Sequence, residues 1–340
     1  MKKSAYLIFS LVVLFSCKEI EVRNQEIRGE AQGTTFFISY SDSLNRDFST
    51  DVAKILTEFD KELSIYFPNS LVSKFNRNEL KIINNGKDKY LSFCINKSEK
   101  IQKITDGYFN HGLKNLINFT KNKSSFVRRD SLAIDSILSI SNFILPGGNF
   151  DFKEDKRAKF DFNAIAQGYS VDVLGDFLEA KGVKNYMVEI GGELKVKGKN
   201  QRGEKWSVGL ESPNSTVKER DFQEIIYLEN KSLATSGSYR KFKEINDKKY
   251  SHVINPKTGF GVTHNLLSVS VIAENCIIAD ALATTFLVMG KEKTISFLDS
   301  YNSPIELEEN IRDISVYFIE SNDNGEFETS YYNGFENYLD

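Results

Sequence analysis

Histidine is nearly missing from this chain of 340 residues, occurring only at positions 111, 252 and 264. That scarcity argues against a zinc centre built on histidines. Cysteine is equally rare, at positions 17, 94 and 276, which excludes a disulfide framework. One bridge between Cys94 and Cys276 stays open on paper, but both lie in largely apolar helical patterns and read as buried free thiols. There is no basic block and no stripe of interleaved basic and aromatic residues, so nucleic acid is not an expected partner. Internal repeats and low-complexity tracts are absent. The single long apolar run, Ala5 to Phe15 interrupted by Ser10, is too short for a comfortable transmembrane span.

What that run does resemble is an export signal. Met1-Lys2-Lys3 is a positive n-region, and Leu14-Phe15-Ser16-Cys17 reads as a lipoprotein signal-peptidase box. Residues 1–16 are then a lipoprotein signal peptide and Cys17 is the acylated, palmitate-bearing first residue. The lipid would anchor the protein in a bilayer, facing the periplasm or the cell exterior. An uncleaved helix, or an ordinary secretion signal with an incidental cysteine, is the other reading. Residues 17–27 are charged and read as a tether. Loss of residues 1–16 removes two lysines and leaves 42 basic against 47 acidic side chains, a mildly acidic body. Residues 28–335 form one enzyme-sized domain, with a variable, polar, insertion-like region at 117–160.

The pattern is mixed α and β. Thr34–Tyr40, Tyr186–Ile190, Glu193–Lys197, Trp206–Leu210, Glu224–Leu228, Leu266–Ile272 and Ser315–Ile319 read as strands. Val52, Ile55, Leu56, Phe59 and Leu63 share a helix face. Ser92–Thr105, Ala164–Ala180 and Ala279–Met289 read as helices, and Ser131–Ile140 as a short one. Pro146-Gly147-Gly148 marks a turn.

Several segments carry chemistry. Asp161 to Tyr169 opens a helix, with Asn163 as its cap and first-turn amides that suit a phosphate. Without context, a plain cap explains it as well. Glu189-Ile-Gly-Gly-Glu193 sets two acids around a double glycine; Glu189, in an otherwise apolar strand, reads as a buried charge in need of a partner. A surface hairpin is the alternative. Thr235-Ser236-Gly237-Ser238-Tyr239-Arg240 combines hydroxyls, a glycine and a cation that together suit phosphate oxygens, or form a simple turn. His252 is the best general base, because imidazole titrates near neutrality without tuning. Asn255-Pro256-Lys257-Thr258-Gly259 follows it. Asp280 and Thr284 lie four apart on one helix face and suit Mg²⁺, unless Thr284 bonds its own i−4 carbonyl.

Taken in order, these segments resemble the ApbE family of FAD:protein FMN transferases over roughly residues 27–310. The resemblance is carried by Ala31-Gln32-Gly33-Thr34-Thr35, Leu63-Ser64-Ile65-Tyr66, Asp161 to Tyr169, Gly191-Gly192-Glu193, Ala234 to Tyr239, Ser251 to Gly259, and Ala279 to Thr284. The chain departs from the usual family pattern at Gln167, Ser238, Asn255 and Phe109-Asn110-His111-Gly112.

The resemblance implies an α+β, T-fold-like domain with mixed and antiparallel strands packed against helices. It implies FAD as substrate and Mg²⁺ as cofactor, the metal held by Asp280, Thr284 and the carbonyl of Ala164. It places Thr35, Tyr66, Asp106, Asn163, Glu193, Thr235, Ser236, Gly237, Tyr239 and His252 around the flavin nucleotide, with Arg240 and His252 acting in catalysis. FMN would pass from FAD to a Thr or Ser hydroxyl of an exported flavin-acceptor subunit of a membrane redox complex, releasing AMP. A Mg²⁺-dependent FAD pyrophosphatase giving FMN and AMP, a non-catalytic FAD-binding lipoprotein, and a plain surface scaffold are the other readings.

Overall fold

The computed structural model describes residues 23–80, 89–121, 128–141, 156–215, 221–238, 242–245, 248–251, 253–300 and 314–340. In chain order it contains β1 (Asn24–Ala31), β2 (Thr34–Ser41), α1 (Ser49–Leu63), α2 (Leu71–Asn76), α3 (Lys89–Ile104), α4 (Lys114–Lys121), α5 (Arg128–Ser141) and α6 (Ala166–Ala180). There follow β3 (Asn185–Ile190), β4 (Glu193–Lys197), β5 (Trp206–Glu211), β6 (Phe222–Leu228), β7 (Lys231–Gly237), β8 (Phe242–Ile245) and β9 (Lys248–Ser251). The chain closes with β10 (Leu266–Ala273), α7 (Cys276–Met289), α8 (Lys291–Ser300), β11 (Ser315–Ser321), β12 (Phe327–Tyr332) and a 3₁₀ turn at Phe335–Tyr338.

Eight strands form one sheet in the order β1-β2-β3-β4-β7-β10-β11-β12, and every neighbouring pair is antiparallel. Side chains alternate across a strand, so each strand feeds two cores. Leu194, Val196, Leu233, Ile272, Tyr317 and Ile319 pack with Trp206, Ile226 and Leu228 of the β5–β6 hairpin and with Phe335. One residue along, Ala234, Val271, Ala273, Val316 and Phe318 face the other way, onto α7. On that same side α6 and α1 cover the β2–β3 end through Val171, Leu174, Val52 and Leu56. The fold is α+β, as expected; among the described residues the strand ladders are antiparallel, and Leu113 and Lys159 form an isolated parallel bridge.

Helices α6 and α7 lie against the middle of the sheet and cross tightly. Gly168 permits the approach: a Cβ there would sit 2.4 Å from the Cys276 carbonyl oxygen and 2.7 Å from the Asp280 Cβ. Two carboxylates lock the crossing. Asn275, the N-cap of α7, makes no side-chain cap bond. Asp172 of α6 supplies it instead, accepting from the amides of Cys276 (3.0 Å) and Ile277 (2.8 Å). In return Asp280 of α7 accepts from the Gly168 amide at 2.9 Å. Each helix thus satisfies first-turn amides of the other, groups that have no partner within their own helix. Lys195 of β4 pairs with Asp172 at 3.1 Å, tying the crossing to the sheet. Burial pushes the Asp172 carboxyl up, and Lys195 with the two amides opposes that.

The structure differs from the sequence reading at the start of α6 and at the tether. The helix expected from Ala164 begins at Ala166, its N-cap is Ile165 with no side-chain cap bond, and Asn163 lies in the preceding turn. Asp172 and Asp280 explain why no local cap is required at either helix: the capping arrives from across the interface. Strand β1 begins at Asn24, inside the segment read as a tether, and buries Ile27. Its sequence hid it, because an edge strand carries few apolar residues. The short helix expected at Ser131–Ile140 is α5, which with the end of α4 lies in the region 117–160, and its Ile134 is buried against Leu113 and Leu116. The 146–148 turn lies outside the described residues. Cys94 and Cys276 are buried free thiols, as read.

Asp172→Ala should cost roughly 3 kcal/mol, since it leaves two buried amides and one buried cation short of a partner. Urea unfolding followed by circular dichroism measures it.

Candidate active site

Asp280 sits at the α6–α7 crossing, 5% exposed. One turn on, Thr284 meets Ser236 of β7, with the two hydroxyls 2.9 Å apart. Thr284 therefore looks outward to the strand; the hydroxyl that bonds its own i−4 carbonyl is that of Thr285. Thr284 and Ser236 meet directly, and Asp280 precedes Thr284 by one turn of α7. Ala164, in the turn before α6, packs in the cluster that contains Ile277 and Ala281 of α7.

Glu193 is the second acid here. The Gly191–Gly192 turn sets Ile190 directly opposite Glu193, so the two share the helix-facing side of the sheet. Glu193 is 8% exposed, and among the described residues its Oε2 has no hydrogen-bond partner. Burial pushes its carboxyl well above the usual range, and the charge of Asp280 pushes it further. Burial also raises Asp280, against the pull of the Gly168 amide. Lys195, two residues along the same face, is held by Asp172 at 3.1 Å and Asp176 at 3.6 Å. The expectation for Glu189 is corrected: it is half-buried, and its Oε1 accepts from the Gly192 amide at 2.7 Å. Strand parity already contained the answer, since Val188 and Ile190 face inward and Glu189 between them does not.

Two buried acids with no cation between them fit a divalent metal, and carboxylate, hydroxyl and carbonyl donors fit one that prefers oxygen. Among the described residues no three of His, Cys, Asp and Glu cluster.

The remaining predicted residues divide. Tyr66 is 77% exposed and its Oη accepts from Asn163 Nδ2 at 3.2 Å, so two expected flavin contacts adjoin. Asp106, in a left-handed turn at the end of α3, pairs with Lys257 at 2.9 Å. Thr235 is not on the same face as Ser236: it stands on the opposite side of β7, exposed, its hydroxyl 2.8 Å from that of Ser270. The stretch is the last part of a strand rather than a turn, and alternation divides its hydroxyls. Gly237 ends β7. Thr35 is exposed in β2, and its carbonyl accepts from the Gly191 amide at 3.1 Å. Tyr239, Arg240, His252 and Cys17 lie outside the described residues.

The departures from the family pattern have local roles. Ser238 bonds the Leu266 carbonyl at 3.0 Å. Asn255 organises its turn, its side chain accepting from the Lys257 amide and its carbonyl from the Gly259 amide. His111 is buried, stacked on Phe160 and Phe162, with neither ring nitrogen bonded, and burial pushes it down to about 4. It is part of a core.

The chain matches the profile of the ApbE family over residues 32–307. An FAD:protein FMN transferase of Vibrio cholerae is 30% identical over 318 residues, covering 90% of this chain and 93% of that one. Among solved structures, the flavin transferase ApbE of Vibrio cholerae superposes with a TM-score of 0.76 at 27% identity, covering 94% of this chain and all of the other. The flavinyl transferase ApbE of Pseudomonas stutzeri, in its apo form, gives 0.76 at 25% identity over 94% and 97%. The strands and helices that assemble the acid pair fall inside the matched residues, and on both sequence and fold the chain belongs to the ApbE family.

Proposed function

We propose that this protein transfers FMN from FAD to a threonine or serine hydroxyl of an exported flavoprotein, with release of AMP. The observation that carries the reading is the buried Asp280–Glu193 pair beside the Ser236 and Thr284 hydroxyls, at the start of a helix, in a chain of this family. The names of its relatives, FAD:protein FMN transferase, support it.

In the reaction, the incoming hydroxyl oxygen bonds to the FMN-side phosphorus of FAD. The bond from that phosphorus to the bridging oxygen breaks, and AMP departs with the bridging oxygen. His252 takes the hydroxyl proton. The first turn of α6 and the end of β7, with Ser236, Gly237, Tyr239 and Arg240, receive the pyrophosphate, whose charge the helix N-terminus favours. Tyr66 and Asn163 adjoin one another on the flavin side. Mg²⁺ held by Asp280, Thr284 and the Ala164 carbonyl would offset charge on the phosphate oxygens and the leaving group. Gly168 fixes the Asp280 carboxylate and Ser236 fixes the Thr284 hydroxyl, so neither has to reorient during the reaction. Lys257, steadied by Asp106, adds a cation. Acylation of Cys17 would hold the enzyme at the bilayer, beside targets that are subunits of membrane redox complexes. Among the described residues no helix is long and apolar enough to cross a membrane.

Mass spectrometry of an acceptor domain incubated with the protein, FAD and Mg²⁺ should show one added FMN residue and equimolar AMP. Free FMN and AMP without an adduct would replace the transferase by a pyrophosphatase. His252→Ala should lower transfer at least 100-fold while FAD remains bound; normal transfer removes it from the role of base.

The acid pair also sets a pH dependence. Its folded-state carboxyls titrate above the unfolded ones, so the metal-free fold keeps protons that the unfolded chain has already released. Stability from this pair therefore falls as pH rises from about 4.5. Melting in a chelator should drop between pH 5 and 8, and millimolar Mg²⁺ should abolish most of the drop. A metal-insensitive profile would contradict the cation assignment.

A further inference from the structure

We propose that Glu193 is the second carboxylate of the divalent-cation site, facing the ion from the sheet as Asp280 faces it from α7. The proposal rests on Asp280 and Thr284 being cation ligands and extends that reading with an acid from β4.

The argument is one of unmet need. Glu193 is buried, and its Oε2 has no donor among the described residues. The carboxyl takes a hydrogen bond from its own amide, and the donors of the neighbouring described residues are committed elsewhere. The Gly192 amide donates to Glu189 at 2.7 Å, and the Gly191 amide to the Thr35 carbonyl at 3.1 Å. Lys195 is shared between Asp172 and Asp176. The Gly168 amide goes to Asp280. The charges that act on Glu193 are of its own sign, that of Asp280 first and that of Glu189 after it. A carboxyl buried beside another carboxyl stays charged only where a cation lies between them; without one it keeps a proton.

The position is also imposed by the fold rather than incidental. The two-residue glycine turn sets Glu193 across from Ile190, whose side chain is packed under the helices. Moving the turn by one residue would place the acid on the face of the β5–β6 hairpin. Contact between Glu193 and a pyrophosphate would set negative charge against negative charge, so a role beside the substrate requires an ion between the two. Two acids, a hydroxyl and a carbonyl make a four-oxygen donor set suited to Mg²⁺ or Mn²⁺, ions that complete their coordination with water.

The test is Mn²⁺ binding to the chain without FAD, read as free Mn²⁺ by electron paramagnetic resonance. Glu193→Gln, close to the parent in shape, should weaken binding ten- to hundredfold, and Asp280→Asn at least as much. In chelator the Glu193→Gln protein should melt no lower than the parent, since a like charge has been removed; this separates a binding defect from misfolding. Glu193→Asp, which keeps the charge on a shorter stem, should recover part of the affinity. Glu193→Gln binding within twofold of the parent while Asp280→Asn fails would overturn the proposal and leave the Asp280 assignment standing. A parent that does not bind Mn²⁺, or an Asp280→Asn protein that binds it normally, would remove both.

Discussion

The structure depends on the reciprocal capping between α6 and α7. Helix N-termini present amides that their own helix cannot satisfy, and burying two such ends in one place is costly. Asp172 and Asp280 resolve both ends at once. The consequence for chemistry is direct. Asp280 owes its orientation to an amide in the first turn of α6, so the candidate cation site and the candidate phosphate-binding turn form a single rigid unit. Lys195 extends that unit into the sheet, where Glu193 and Ser236 lie on neighbouring strands.

Sheet parity decides which polar residues belong to this unit. Ser236 joins it and Thr235 does not, although they are adjacent in sequence and both carry hydroxyls. Glu193 joins it and Glu189 does not, although both flank the same glycine pair. The antiparallel ladders fix these choices, because inward residues such as Ile190, Ala234 and Val271 leave the register no freedom.

Much of this was legible beforehand. The periodicity of α1, α6 and α7 and the strand runs in β2, β3, β4 and β10 emerge from apolar spacing alone, because they face a core on at least one side. The pairing of Asp280 with Thr284 follows from helical spacing. What could not be read has a common cause: it depends on partners distant in the chain. The start of α6 lacks a local cap because its donors look to residue 280. Strand β1 has little apolar content because it is an edge. Gln167, Ser238 and Asn255 read as departures in sequence, yet Ser238 and Asn255 prove to hold their own loops together. The orientation of Glu189 is implicit in the sequence, since a two-residue turn dictates which acid faces inward.

Gly168 carries a historical consequence. Its missing Cβ leaves room for the Cys276 carbonyl and the Asp280 stem, which lie more than 100 positions away in the chain. A substitution in either segment is thus judged against the other. Recombination that exchanges the first half of this gene with that of a distant relative would separate two surfaces shaped to each other, so the two segments are expected to be inherited together, as one unit of descent.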